Sequence, residues 1–180
     1  GVSIEAASVY VIAVPTPLTE DNEPDLSFIR KAATSLACVL QPGALVILES
    51  TSPVGTTEAL ESWLKDARTD LSFPSDLGDA AEVQLAYCPE RVLPGNIVHE
   101  LQFNHRAIGG LSSRASEMAV AFYRQVVTGD LVMTTARVAE MSKLTENAFR
   151  DVNIAFANEL SMLCDRVGVD VGKLIALSNL

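Results

Sequence analysis

Three observations predict an α/β protein in which a parallel sheet is followed by one long helix. VYVIAV (9–14) and the first five residues of ALVILES (44–50) are continuously apolar runs containing β-branched residues. Runs that do not alternate mark strands buried on both faces, as in parallel sheets. Segments of helical period separate these runs from each other and from VQLAYC (83–88), and strand–helix alternation builds sheets with right-handed crossovers. From Ala136 to about Gly168 no proline or glycine interrupts the chain and apolar residues recur at three and four. At 1.5 Å per residue that is a helix of about 45 Å.

Pro15 and Pro17 end the first strand. After an acidic loop, Asp25 can cap a helix to about Leu40, with Phe28, Ile29, Ala32, Ala33 and Leu36 at helical spacing. Gln41-Pro42-Gly43 stops it, and the next helix starts near Thr56 or Thr57. Residues 68–81 are polar with Pro, Gly and Ser and read as loop, as does PERVLPGN after the third strand. HRAIGG (105–110) is a short strand ending in glycines, Ser112 or Ser113 caps a helix to about Val127, and GDLVMT (129–134) is the last strand. Gly168 stops the long helix and Asp170 starts a final one. The division expected is a sheet domain, 1–135, and a helical segment, 136–180.

A net charge of −10 without a basic cluster argues against nucleic acid and anionic membrane surfaces as partners. Cys38, Cys88 and Cys164 lack metal or disulfide spacing, so no metal site and a reducing, cytoplasmic setting are expected. His99 and His105 read as loop or surface residues. No apolar run can span a bilayer, and no basic–apolar leader opens the sequence.

Four stretches can carry chemistry. VPTP (14–17) follows a buried strand at the sheet edge where α/β proteins bind ligands, although a stiff strand-ending turn explains it equally. ESTSPVGTTE (49–58) places hydroxyls at a helix N-terminus, which suits a phosphate or, as simply, an ordinary cap by Thr56 or Thr57. In CPER, a nucleophilic Cys88 would need activation by Arg91 or by Glu90 as base. A cysteine closing a strand is more often a small buried filler. Lys143, Asn147 and Arg150 share one helix face, with Glu140 on the same side. Flanking Met141, Leu144, Ala148 and Phe149 point to a helix packed around much of its girth, leaving a narrow polar strip.

Taken in order, VPTP, ESTSPVGTTE, CPERVLPG, KLTENAFRDVNIAFANEL and RVGVDV resemble the NAD-dependent UDP-sugar 6-dehydrogenases, the UDP-glucose/GDP-mannose dehydrogenase family, over essentially the whole chain. PERVLPG is most similar to the branch acting on UDP-N-acetylmannosamine or a related N-acetylhexosamine; at Pro94 the UDP-glucose branch resembles a second glutamate instead. The resemblance implies the second half of a Rossmann-like parallel sheet, then a long central helix that forms a homodimer. It implies NAD as cofactor, a UDP-sugar as substrate, and two oxidations that carry the C6 alcohol to a carboxylate through a cysteine-bound intermediate. On the matching positions, Val14, Pro15 and Thr16 contact NAD, and Thr51 and Thr57 line the cofactor or assist the hydrolytic water. Glu90 is a catalytic glutamate, Arg91 and Val92 hold the substrate, Lys143 and Asn147 sit at the reacting carbon, and Arg150 reaches the substrate. Against that pattern the sequence has no GxGxxG, and neither Cys88 nor Cys164 matches the family's nucleophile. A piece of a longer enzyme, inactive by itself, is therefore expected. Two alternatives remain: a non-catalytic dimerising remnant, and a 3-hydroxyacid-dehydrogenase-like protein, since those enzymes also pair a lysine and an asparagine four apart.

Overall fold

A computed structural model describes residues 4–92 and 95–180. The chain divides into two compact units, Gly1–Lys143 and Leu144–Leu180.

In the first unit the sheet runs β1 (Val9–Ile12), β2 (Leu45–Leu48), β3 (Gln84–Tyr87), β4 (Arg106–Gly110) and β5 (Leu131–Thr135), in that spatial order. Helices α1 (Ser27–Ala37) and α2 (Thr56–Ala67) connect the first three strands, which pair in parallel. α5 (Ser113–Tyr123) connects β4 to β5, again in parallel. The non-alternating strands behave as their composition requires, since every residue of β2 and β3 is buried. Val46, Leu48, Leu85 and Tyr87 face one core with Ile29, Ala33 and Leu36 of α1 and Leu60 and Leu64 of α2. Leu45, Ile47, Ala86 and Cys88 face a second core with Ile108, Ala119 and Tyr123. Each large aliphatic side chain buried this way contributes about 1.5–3 kcal/mol. The one polar residue of β3, Gln84, is satisfied: its amide donates to the Gly78 and Ala81 carbonyls and its oxygen accepts from Ser112.

Two boundaries follow the expected chemistry and one lies a residue later. At α1 the N-cap is Leu26 rather than Asp25, whose carboxylate, one residue earlier, accepts the Ser27 N–H at 2.9 Å, a bond that holds this carboxyl below its ordinary pKa. Ser112 caps α5, accepting from the Ala115 N–H at 3.0 Å. Asp170 caps α7 (Val171–Ser178), accepting from Lys173 N–H at 3.1 Å.

Three expectations are corrected. The sheet is not wholly parallel, because β3 and β4 are antiparallel, with Ala86 opposite Gly110 and Tyr87 opposite Gly109. Among the described residues the only element between them is α4 (Ile97–Phe103), a helix of seven residues. At about 10 Å it is too short to carry the chain back along the sheet, so β4 returns from the edge where β3 ended. Residues 68–81 are not plain loop either: α3 (Pro74–Leu77) starts with proline at its first position, and a 3-10 turn, Gly78–Ala80, follows. Arg68 stitches this connection to α1, donating to the carbonyls of Ala37 (2.9 Å) and Leu40 (2.6 Å). Finally, α6 (Ala136–Val167) runs without a break as expected, yet Met141, Ala148 and Phe149 are exposed, so it is not packed around most of its girth.

The second unit holds the rest of α6 and α7. Phe149, Val152, Ile154, Phe156, Leu163 and Leu177 are each more than half exposed, an unusual display of large apolar side chains. Among the described residues no helix is long and apolar enough to cross a membrane.

Candidate active site

The carboxyl ends of β1 and β2 lie side by side, and their loops are tied to each other. Ser50 Oγ donates to the Val14 carbonyl at 2.7 Å, and Thr16 Oγ1 donates to the Thr51 carbonyl at 2.6 Å. Val14, Thr16 and Thr51 are half-buried and Pro15 is exposed, so this edge is open to a ligand.

The α2 N-terminus has a different occupant from the one its sequence invites. Gly55 adopts φ 97°, and the backbone N–H groups of Gly55 and Thr57 both point at the side chain of Glu140. Its two carboxylate oxygens accept from Gly55 N–H at 2.6 Å, Thr57 N–H at 2.9 Å and Thr57 Oγ1 at 2.7 Å. Glu140 is completely buried. The chain's own carboxylate thus fills the anion site of this helix, and neither Thr56 nor Thr57 caps it; Thr56 Oγ1 donates back to the Pro53 carbonyl. A cofactor phosphate is not received here, and the Thr57 hydroxyl is already committed. The stretches 13–19 and 49–57 also contain no Lys or Arg. This edge suits an uncharged part of a dinucleotide and leaves its phosphates to other residues.

The PER loop reaches the same helix. Arg91 Nη2 donates to Ser142 Oγ at 3.3 Å, and the Arg91 carbonyl accepts from Asn104 Nδ2 at 3.3 Å. Glu90 turns its carboxylate onto the Val92 N–H rather than onto Cys88. Leu93 and Pro94, the second proline expected to pin this loop, lie outside the described residues.

Glu140 and Ser142 therefore gather the two loops on the opening turns of α6, and Lys143 comes next. It is 9% exposed and makes no hydrogen bond or ion pair among the described residues. An ammonium that has lost most of its water without gaining a carboxylate attracts negative charge. Asn147 and Arg150 belong to the second unit, where Asn147 is half-buried and Arg150 is exposed and pairs with Glu146 at 3.5 Å.

Cys88 is wholly buried, and burial pushes its thiol up to about 11; the nearby Arg106 lowers it without offsetting the loss of water. That removes it as a nucleophile at neutral pH. Iodoacetamide at pH 8 is expected to alkylate the exposed Cys38 and to spare Cys88 until denaturant is added. Mass spectrometry of the digest checks this, and rapid labelling of Cys88 in the folded chain would contradict the burial.

Sequence reasoning missed a cluster beside Cys88. Arg106 opens β4 almost fully buried, with its guanidinium 4.9 Å from the Tyr123 ring centre and 3.6 Å from Glu49, and Tyr123 donates its hydroxyl to Glu49. These partners, Glu49 just after β2 and Tyr123 in α5, are distant in sequence, and no local motif announces the cluster.

Comparison with known proteins fits this geometry. The profile of the UDP-glucose/GDP-mannose dehydrogenase family, NAD binding domain, matches residues 2–127. The chain belongs to this family. The family's central-domain profile matches residues 137–180. An NDP-N-acetyl-D-galactosaminuronic acid dehydrogenase of Ralstonia solanacearum is 57% identical over 175 residues, 97% of this chain and 41% of that protein. A UDP-N-acetyl-D-mannosamine dehydrogenase of Yersinia pestis is also 57% identical over 175 residues, covering 97% and 42%. The solved structure of the UDP-D-ManNAc dehydrogenase of Pyrococcus horikoshii superposes with a TM-score of 0.88 at 44% identity, over 97% of this chain and 40% of that one. The chain thus spans about two fifths of the length of the relatives it matches. Membership sets aside the 3-hydroxyacid-dehydrogenase-like alternative.

Proposed function

We propose that these residues are the later part of the cofactor domain and the start of the central domain of an NAD-dependent dehydrogenase. Its substrate is UDP-N-acetylmannosamine or a related UDP-N-acetylhexosamine, oxidised at C6 to the uronate. The observation that carries this reading is Lys143, a largely buried ammonium without a partner among the described residues, set on the helix where the ESTSPVGTTE and PER loops converge. The names of the two 57% relatives favour an N-acetylhexosamine over glucose.

NAD, when bound, accepts hydride from the sugar carbon. The chain's own part is positional and electrostatic. Thr16 and Thr51, bonded to each other, form with Val14 and Pro15 a fixed uncharged edge for the cofactor, and Thr57 reinforces it through Glu140. Arg91 and Val92 present the sugar nucleotide, and Glu90 orders their loop by holding the Val92 N–H. Lys143 faces the oxygen on which negative charge develops, assisted by Asn147, while Arg150 would exchange Glu146 for the substrate. The exposed apolar side chains of the second unit are the surface through which two copies associate.

A graft tests this: residues 1–180 replace the matching segment of the Yersinia pestis relative. NADH formation dependent on UDP-N-acetylmannosamine is expected from the graft, and none from the 180 residues alone. A well-folded graft that oxidises UDP-glucose but no UDP-N-acetylhexosamine would overturn the substrate assignment, and turnover by the 180 residues alone would overturn the expected inactivity.

A further inference from the structure

Glu140 is a fully buried carboxylate that takes no chemical part in the proposed reaction. It takes three hydrogen bonds of 2.6–2.9 Å from Gly55 and Thr57, and Lys143 follows one turn later on α6. Ala136, Ala139, Glu140 and Lys143 are all buried, so one stripe of the helix carries the two alanines, the carboxylate and the ammonium. The alanines anchor it by packing into the sheet core, an apolar contact that tolerates small rotations of the helix about its axis. The carboxylate does not tolerate them, because charge-assisted hydrogen bonds are directional and three of them converge on it from a rigid helix start.

We infer that Glu140 is a positioning residue, a latch that fixes the rotation of the opening turns of α6 against the 55–57 loop and so sets where the Lys143 ammonium lies. The cofactor-side loop and the Lys143 helix are then one rigid body: Thr51 and Thr16 lie on one side of the latch and Lys143 on the other. Only the further statement that the ammonium so placed faces the reacting carbon rests on the proposed function. The latch itself does not.

The 180-residue chain suffices for the test. It contains four lysines, Lys31, Lys65, Lys143 and Lys173, so the Cε–Hε signals of 13C-lysine-labelled protein are few, and Lys143→Arg assigns the one in question. Glu140→Ala is expected to move the Lys143 signal, to leave those of Lys31 and Lys173 in place, and to lower Tm by on the order of 10 °C, because buried donors lose their acceptor. Acetate, whose methyl and carboxylate replace the missing part of the side chain, is expected to return both signal and Tm. Sodium chloride at equal ionic strength is expected to return neither. Thr57→Val removes one of the three donors at nearly constant volume and is expected to move the same signal in the same direction by less, which keeps the test available should Glu140→Ala not fold. A Lys143 signal unmoved while Tm falls would overturn the latch and leave Glu140 a plain helix cap, as would failure of acetate to restore the signal. A displaced and acetate-restored signal together with an inactive graft would uphold the latch and sink the functional reading.

Discussion

Replacing Lys143 with alanine in the grafted enzyme is expected to lower kcat about a hundred- to a thousand-fold, with KM for the UDP-sugar changed by no more than about threefold. Lys143 retains 9% exposure and has no carboxylate of its own among the described residues, so its charge is available to whatever approaches. When an alcohol at carbon gives up hydride its proton must also leave, and the oxygen carries negative charge on the way. A fixed ammonium at that oxygen acts only as the charge develops, which is why the loss should fall on kcat and not on substrate affinity. Glu140 does not neutralise it, because both oxygens of that carboxylate are turned to Gly55 and Thr57. Lys143→Arg keeps the charge but spreads it over a planar fork that the buried position does not accommodate, so it should recover only a small part of the rate. Steady-state kinetics of the three proteins decide the matter. A Lys143→Ala enzyme with kcat within about tenfold of the parent would remove the ammonium from the reaction.

Much of this architecture is legible in the residues and the rest is not, for identifiable reasons. β2 and β3 announce themselves because strands covered on both faces exclude polar residues, and Gln84 is tolerated only because four groups satisfy or face its amide. α4 is hidden because seven residues hold too few turns for a periodic pattern, and Val98 and Leu101 remain exposed on it. The reversal at β4 is a matter of long-range pairing that short strands do not encode. The candidate site divides in the same way. The loops at 14–17, 49–58 and 88–92 are recognisable from their breakers and hydroxyls, and the hydrogen bonds between the first two follow from adjacent strand ends. Not recognisable is that the α2 N-terminus receives a carboxylate 83 residues downstream of Thr57. A signal does exist: Glu140 shares a stripe with Ala136 and Ala139, and small residues at that spacing mark the buried side of a helix, where a lone carboxylate needs a partner.

Gly109→Ala should destabilise the chain by about 3 kcal/mol or more. A Cβ on Gly109 would lie 2.4 Å from the Thr135 carbonyl oxygen, 2.6 Å from its carbon and 2.7 Å from the Ala136 Cα. All three are backbone atoms, so no side chain can swing aside, and either β4 or the start of α6 must move. Gly43 is the useful contrast. It sits at φ 88° with open space where a methyl group would go, so Gly43→Ala meets only left-handed backbone strain of about 1–2 kcal/mol. Urea titrations should therefore place the Gly109→Ala midpoint well below that of Gly43→Ala, and equal midpoints would show that β4 yields freely. The crowding at Gly109 also explains why HRAIGG ends as it does. β5 passes directly into α6 at Thr135–Ala136, and the parallel register of β4 and β5, Gly109 beside Thr134 and Gly110 beside Thr135, brings that junction against the β4 glycines. From that junction Glu140 is four residues away and Lys143 seven, so a methyl group that lifts the start of α6 should also move the Lys143 signal. Acetate should not return it, because in this variant the carboxylate is still present and what has shifted is the helix that carries it.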